Sequence, residues 1–580
     1  MALPGVTINV LDGNLGLQQG SNEQVVLFLG PCTKGTPDTL YSIGDQSTLT
    51  DTLGAGQLVE AAAYALAVGG GPVMCMPLTP DSAGAIGSVT HAGPGSATLS
   101  VSAAPHEAIT VTNVTTGTLV SGTAAFTFTV GSETSAPVTA ASTWSSTGYR
   151  VPGTYAKLVF VTGTYSGDVY TVSTAGTVAH PTGAGPAVPT MTASPLDNYN
   201  AKVTVAVSGA LGTAQFNYSL DNGASELAGN GVTSGDIITA GSGIYVIPDS
   251  GLVLTFSGTL NADDTYTFKT GGPSCSSYTS ALTALQTTYL ASANYAMGAV
   301  VQMPHSASGW ATDAATLDTA ADALFNLGVY MRFMNEAPTV GSVFVTGSTL
   351  TTDTADTDSV LEAARANVDA PRVLAGAGDC LLVSPVTGLT LRRSAMWTAA
   401  ARASSVEASE NLGAVADGGL SSVVYLFRNE TANPGLDASG FTTMRQINGV
   451  PGYYLTDAHT VALSTSDYYP FANARVIDIG CTITRANALP LVNSKVPTTT
   501  RNGLPGVITE RKAQQIEAKL SGALITGMVS IDPANAVAAN AVVNRTHSIL
   551  ADGNLIIAVA IQPFAYARTV TVNIGLAVQA

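Results

Sequence analysis

Residues 81–275 hold 54 Ser and Thr, and their apolar residues alternate with polar ones in short runs such as Phe126-Thr127-Phe128-Thr129-Val130 and Val203-Thr204-Val205-Ala206-Val207. A period of two, broken at short intervals by turn residues, is the pattern of antiparallel strands with one face on a core. The pattern also repeats. Thr123-Ala124-Ala125-Phe126 resembles Thr213-Ala214-Gln215-Phe216. Tyr149–Pro152 (YRVP) matches Tyr245–Pro248 (YVIP), and Asp168-Val169-Tyr170-Thr171 matches Asp264-Thr265-Tyr266-Thr267, both at an offset of 96 residues. Internal self-similarity at a fixed period marks copies of one unit. The segment is therefore read as two β-sandwich modules, residues 82–180 and 187–275, joined near His180-Pro181-Thr182-Gly183-Ala184-Gly185-Pro186.

The flanking chain has a different texture. Gln24 to Gly30 is a short apolar run stopped by Gly30-Pro31, which predicts a buried strand. Leu58 to Val68 is Ala-rich and helical in length, ends at Gly69-Gly70-Gly71, and leads to a second strand over 73–78. Strand, helix, strand in this order predicts a βαβ unit with parallel strands. The same texture resumes near residue 277: helices over 278–293, 314–327 and 394–404, and strands over 299–303, 329–334, 380–383 and 423–427. The expected fold class is α/β plus all-β. A discontinuous αβ core (21–80 and 277–469) carries the two inserted β-sandwich-like modules in one loop. A C-terminal α+β assembly domain (470–567) follows, and extended arms lie at 1–20 and 568–580. In that C-terminal domain Thr509 can cap a helix from Glu510, whose Ala513, Ile516, Leu520 and Leu524 share one face. Strands are expected over 555–562 and 569–578.

The charge balance narrows the function classes. Lys and Arg number 22 against 39 Asp and Glu, a net charge of −17, and charged residues are only 11% of the chain. That argues against a chain-wide nucleic-acid surface. The exception is 475–568, with nine basic and five acidic residues, whereas 81–275 has four basic and eleven acidic. The start of the chain lacks the basic-then-apolar pattern of a secretory signal, and no stretch is apolar enough to span a bilayer. Five widely spaced cysteines without a CxxC are expected to be reduced and buried, as in a cytoplasm. No Gly-Lys pair exists for a Walker loop, and Gly376-Ala377-Gly378 is followed by Leu381 where a dinucleotide fingerprint needs glycine. The six histidines are isolated in sequence, and Asp353, Asp356 and Asp358 read as a polar loop and helix start. No catalytic, cofactor-binding or metal-binding residue is assigned, and the expectation is a protein that is not an enzyme.

The two ends carry alternating segments: Val6, Ile8 and Val10 in PGVTINV (4–10), and Val570, Val572 and Ile574 in 569–574. The opening PGVTINV, then VVLFLGPCTKGTP (25–37) and GGGPVMCMPL (69–78), resembles that of contractile tail sheath proteins, with Thr36-Pro37 a small departure after Lys34-Gly35. Further on, Arg475-Val476-Ile477 after Tyr468-Tyr469-Pro470, the helix in GLPGVITERKAQQIEAKLSGALITG (503–527), and Asn544-Arg545-Thr546-His547 resemble the ending of the same family. The resemblance covers residues 1–80 and 280–580 and omits the β modules. It implies six-subunit rings stacked helically around an inner tail tube, arms that pair with a neighbour's C-terminal sheet, and baseplate and tail terminator partners. It also implies contraction that drives the tube through a host envelope. The particle would be a phage tail, assembled in the host cytoplasm, or alternatively a phage-derived injection system or bacteriocin. Neither nucleic acid nor stable membrane insertion is implied, and no cofactor. Arg511, Lys512 and Lys519 on the capped helix are expected to face the tube, or alternatively to be a solvated face balanced by Glu510 and Glu517. A surface adhesin or carbohydrate-binding protein, suggested by the Ser/Thr-rich modules, is the rival of another class.

Overall fold

The computed structural model describes residues 25–69, 71–80, 82–183, 185–223, 243–275, 278–290, 297–300, 307–337, 343–346, 349–352, 358–528 and 539–565. Its centre is a seven-stranded sheet in the order Tyr41–Ile43, Val73–Leu78, Val26–Pro31, Met297–Val300, Arg332–Ala337, Ala370–Ala377, Thr460–Val461. The five inner strands are parallel and the two edge strands antiparallel. The helices around it are α1 (Gln46–Leu53), α2 (Gln57–Gly69), α3 (Thr279–Thr287), α4 (Ala307–Leu327), α5 (Asp358–Ala366) and α6 (Ala395–Ser405). Val26 and Phe28 pack with α1, α2 and α6 on one face; Leu27 and Leu29 pack with α3, α4 and α5 on the other. A strand covered by helices on both sides has no polar face, which is why Val26–Pro31 and Val73–Leu78 read as unbroken apolar runs.

Among the parallel strands the first in sequence lies between the second and the third, so the connections run outward in both directions from Val26–Pro31. In such sheets ligands bind at the carboxyl ends of the strands, in the crevice where the direction reverses. Here the turn after Val26–Pro31 is occupied by the chain's own insertion. Gly153 N–H donates to the Thr33 carbonyl (2.9 Å), Arg150 Nη2 donates to the Cys32 carbonyl (2.7 Å), and Lys34 pairs with Glu133 (2.9 Å).

The insertion is nested, and this corrects the expected division at 180–187. One module is built from Ile109–Thr115, Ala125–Val130, Tyr149–Arg150, Lys157–Val159, Val169–Val172, Val178–Thr182 and Thr190–Thr192 around Phe126, Trp144, Phe160 and Tyr170. The other combines Asn200–Val207, Gln215–Ser219, Ile244–Ile247, Leu252–Ser257 and Thr265–Gly271 with two strands from far upstream. Thr90–Ala92 pairs with Thr265–Gly271, and Thr98–Ala103 with Leu252–Ser257. These two occupy the places that Val178–Thr182 and Thr190–Thr192 occupy in the first module. The second module is thus a circular permutant of the first, and the first is threaded into its interior connection. At the base, Ser82 and Ser274 exchange backbone hydrogen bonds (3.1 and 3.2 Å).

The same permutation appears in one side-chain constellation. Asp168 and Asp264, the repeated aspartates, are fully buried. His180 lies 3.1 Å from Asp168 and stacks on Tyr170; His91 lies 3.3 Å from Asp264 and stacks on Tyr266. Gly185 N–H and Gly95 N–H each donate to the matching aspartate at 2.8 Å. A Cβ on Gly93 or Gly183, both at positive φ, would meet the carboxylate within 2.3 Å, so glycine is required at this approach. The two histidines are isolated in sequence; the signal that joins them is a His followed by two glycines, His91…Gly93-Pro94-Gly95 and His180…Gly183-Ala184-Gly185.

Candidate functional site

The C-terminal unit stands on α7 (Phe471–Ala488), which the sequence reading did not anticipate. Three arginines tie α7 to the core. Arg475, buried, donates from Nη2 to the carbonyls of Ala403 and Val406 at the end of α6 (3.3 Å each). Asp478 forms an ion pair with Arg332 of the central sheet (Nε to Oδ2 2.7 Å), accepting a hydrogen bond from its Nη2 at 3.2 Å and one from Arg372 Nη1 at 3.4 Å. On this base rests α8 (Glu510–Gly527), whose Ala513, Ile516, Leu520 and Leu524 are buried as their spacing predicts. Thr509 holds the N-cap position with extended backbone, without the side-chain cap bond expected of it. Glu510 in the first turn suits the helix dipole.

Against α8 lies a two-stranded antiparallel sheet, Ala539–Val543 with Ile557–Ile561, in the register Ala541↔Val559. Its two outer edges differ. Ala541 N–H donates to Ser521 Oγ (3.0 Å) and Val543 N–H to Glu517 Oε1 (2.8 Å), so α8 side chains close the edge of the first strand. Since residues 541 and 543 point outward, the pairs Asn540↔Ala560 and Val542↔Ala558 are the hydrogen-bonded ones. It follows that the backbone groups of Ile557, Val559 and Ile561 point away from the sheet, and they have no backbone partner among the described residues. Their side chains are half-buried beside α7 and α8, while Ala558 and Ala560 are exposed. The result, among the described residues, is an open sheet edge with an apolar row beneath it.

The glutamates expected to balance the basic helix are engaged elsewhere. Arg545 binds Glu510 through Nε (2.9 Å) and Glu517 through Nη1 (2.6 Å) and Nη2 (2.8 Å), and Arg501 reaches Glu510 at 3.3 Å. The Arg545 hydrogen bonds hold both carboxyls below the usual range and push the guanidinium higher still. Arg511 and Lys512 have no ion pair among the described residues, and Lys519 Nζ reaches only the Asn487 carbonyl (3.4 Å). Arg511 and Lys519 are exposed and Lys512 partly so. The arm residues Val6, Ile8, Val10, Val570, Val572 and Ile574 lie outside the described residues.

No His, Cys, Asp and Glu cluster suited to a metal occurs among the described residues, and no described helix is long and apolar enough to cross a membrane. Four cysteines are buried and the fifth, Cys481, half-buried, all with free thiols.

A family model described as DUF2586, N-terminal domain, matches residues 3–459. No curated protein matches the chain. Among solved structures, a sheath tail protein from Desulfitobacterium hafniense is 13% identical, with 97% of this chain and 100% of that chain covered and a TM-score of 0.41. A sheath tail protein from Listeria innocua is 11% identical, with 94% and 96% covered and a TM-score of 0.40. A chain of the anti-feeding prophage baseplate is 11% identical, with 53% and 77% covered and a TM-score of 0.36.

Proposed function

The chain belongs to the DUF2586 family, and from that premise we propose that it is the structural subunit of a contractile tail sheath, in a phage tail or a phage-derived injection particle. The observation that carries the proposal is the open edge of Ile557–Ile561. An unpaired edge over an apolar row is a template for a foreign strand, with main-chain hydrogen bonds for affinity and alternate side chains for register. An alternating arm such as Val6, Ile8 and Val10, or Val570, Val572 and Ile574, supplies such a strand from a neighbouring copy. A contact of this kind is heterologous, so it propagates into rings and helical stacks instead of closing as a dimer.

The remaining geometry fits that role. The strand-end turn where a small ligand would be expected is plugged by Arg150 and Gly153 of the insertion. The insertion enters and leaves through the paired residues Ser82 and Ser274, so its two ends meet at one place on the core, and its mostly polar surface suits the outer face of a sleeve. Arg475 and Asp478 couple the open-edged unit rigidly to the core, as a lattice that transmits force requires. The order of the terminal motifs supports the six-subunit, helically stacked arrangement around a tube, with baseplate and terminator partners at the ends. Negative-stain imaging of the purified full chain tests the proposal: tubes or stacked rings are expected, and a uniformly monomeric field at high protein concentration contradicts it.

A further inference from the structure

The open edge of Ile557–Ile561 dictates what can cover it. Residues directly opposite in an antiparallel pair share a face. Ile557, Val559 and Ile561 carry the outward N–H and C=O groups and turn half-buried side chains toward α7 and α8. An added antiparallel strand therefore places apolar residues opposite those three. Opposite the exposed Ala558 and Ala560 it can place polar ones. The edge thus fits a strand that reads apolar, polar, apolar, polar, apolar.

The chain carries that sequence shortly downstream. Val570-Thr571-Val572-Asn573-Ile574, outside the described residues, is joined to Ile561 by residues 562–569 alone. Pro563 in that connection cannot donate to a ladder, so it favours leaving the strand there. The connection spans roughly 26 Å when extended, at about 3.3 Å per residue, and an adjacent strand lies only about 4.8 Å away. The shortest return that fills all three apolar places sets Val570 opposite Ile561, Val572 opposite Val559 and Ile574 opposite Ile557. Thr571 and Asn573 then stand beside Ala560 and Ala558. Gly575, which would weaken a strand, falls opposite Ile556, past the strand's end. A slip of one residue would turn Thr571 and Asn573 onto the apolar row.

We propose that in the isolated subunit residues 570–574 fold back in this register and cover the edge as a third strand. This occupant presupposes the strand-accepting edge proposed above, and it is what that edge holds before assembly. Tethering decides the choice: a short linker gives an effective concentration in the millimolar range, roughly a thousandfold above a micromolar solution of subunits. The edge is held by its own chain in dilute solution, and a neighbouring copy competes for it only where copies are crowded. Exchange of one strand between identical subunits is the logic of domain swapping.

Disulfide cross-linking of the full chain at micromolar concentration tests the fold-back. In this register Ala560 and Thr571 form a pair whose backbone groups point away from each other, with Cα atoms about 4.5 Å apart, within disulfide range. Ala560→Cys with Thr571→Cys, and separately Ala558→Cys with Asn573→Cys, should each give an intramolecular disulfide on mild oxidation, read by non-reducing electrophoresis and peptide mapping of the monomer. Ala558 and Ala560 are exposed, so these substitutions leave the core intact, and mapping separates the new bonds from the native thiols, which are buried or half-buried. Ala560→Cys with Val572→Cys, whose thiols face opposite sides of the sheet, should oxidise at least about tenfold more slowly. Equal rates in the three variants, absence of a monomeric cross-link, or a disulfide-linked dimer in its place overturns the fold-back. The readout belongs to a single subunit: tubes without the cross-link refute the fold-back and leave the sheath standing, and the cross-link without tubes does the reverse.

Discussion

The nested modules and the C-terminal unit are both antiparallel, but they treat their strand edges in opposite ways. The second module reaches back to Thr90–Ala92 and Thr98–Ala103 to complete its sheets. Among the described residues the C-terminal sheet has two strands, closes one edge with Ser521 and Glu517, and leaves the backbone of Ile557, Val559 and Ile561 outward. Two strands alone are marginal, and here α8 supports them. The contrast teaches that the two units finish their sheets differently: residues 90–103 add strands to one, whereas side chains of α8 close a single edge of the other.

The sharpest way to break the comparison is proline. Val559 presents its N–H outward, so Val559→Pro should be tolerated by the subunit, as proline is at sheet edges. It should nonetheless abolish ordered polymers by removing a donor from any added strand. Ala560→Pro, whose N–H points to Asn540, should instead unfold the hairpin, by about 3 kcal/mol or more. Circular dichroism and electron microscopy of the two variants separate these outcomes; normal tubes from Val559→Pro would sink the edge model. Deleting residues 1–17, or Ile8→Pro or Ile574→Pro, should reproduce the Val559→Pro phenotype if those arms supply the strand.

Excising the insertion probes the closed side of the comparison. Ser82 and Ser274 are paired, so a short Gly/Ser linker can join them. The cost lies at the interface, since removal leaves Arg393 without Asp197, and breaking a buried ion pair typically costs about 3–5 kcal/mol. Excision with Arg393→Met should recover most of that loss in denaturant unfolding. Both variants should still form tubes; a folded excision variant without tubes places the modules within the lattice.

Much of the core was legible because its strands are buried on both faces, and the resulting apolar runs name themselves. The helix face of α8 was legible because its buried residues recur at helical spacing along a single face. Repeats at 96 residues exposed the two modules through Asp168 and Asp264. Alternation, however, states which side chains face inward and says nothing about which edge a strand joins. That is why 85–103 was assigned to the nearer module. The Arg545 pairing with Glu510 and Glu517 was hidden because it joins residues 28 and 35 positions apart across a fold. The polar texture of Phe471–Ala488, with Arg475 and Asp478 buried in ion pairs and carbonyl contacts, concealed a helix that packs on the core.

The paired histidine clamps allow a finer comparison. His91→Ala and His180→Ala each leave a buried aspartate short of a partner, at about 1–3 kcal/mol. Only the first sits on a strand held from far upstream, so hydrogen exchange should accelerate across 90–103 in His91→Ala and stay local to 178–182 in His180→Ala. Burial raises the Asp264 carboxyl, but the Gly95 and Asn261 N–H groups and His91 outweigh it, and the net shift is downward. A lowered folded-state value means the clamp stabilises fully above the ordinary carboxyl value of 3.8 and is lost as pH falls through the folded value. Acid should therefore loosen 90–103 only below about pH 4.

The smallest expected effect concerns α8. Glu510 and Glu517 are held by Arg545, which leaves Arg511 and Lys512 free to meet a partner's acidic groups. A sleeve that slides along a tube needs a contact that releases, and exposed ion pairs are suited to that, at about 0.2–1 kcal/mol each. Repetition along a tail multiplies a contribution that is negligible in one subunit. Arg511→Glu with Lys512→Glu should therefore leave the subunit's stability and its tube-free polymers unchanged, while weakening co-assembly with purified tube. The defect should be greatest at low salt and fade toward high salt, as the screening length contracts from roughly 30 Å at 0.01 M to 3 Å at 1 M. Conversely, Arg545→Ala should free the two glutamates to neutralise the helix face and mimic the double reversal in part. Wild-type co-assembly by the double variant at every salt would leave α8 without a tube-facing role, and the open edge would then be the whole of the unit's contribution to assembly.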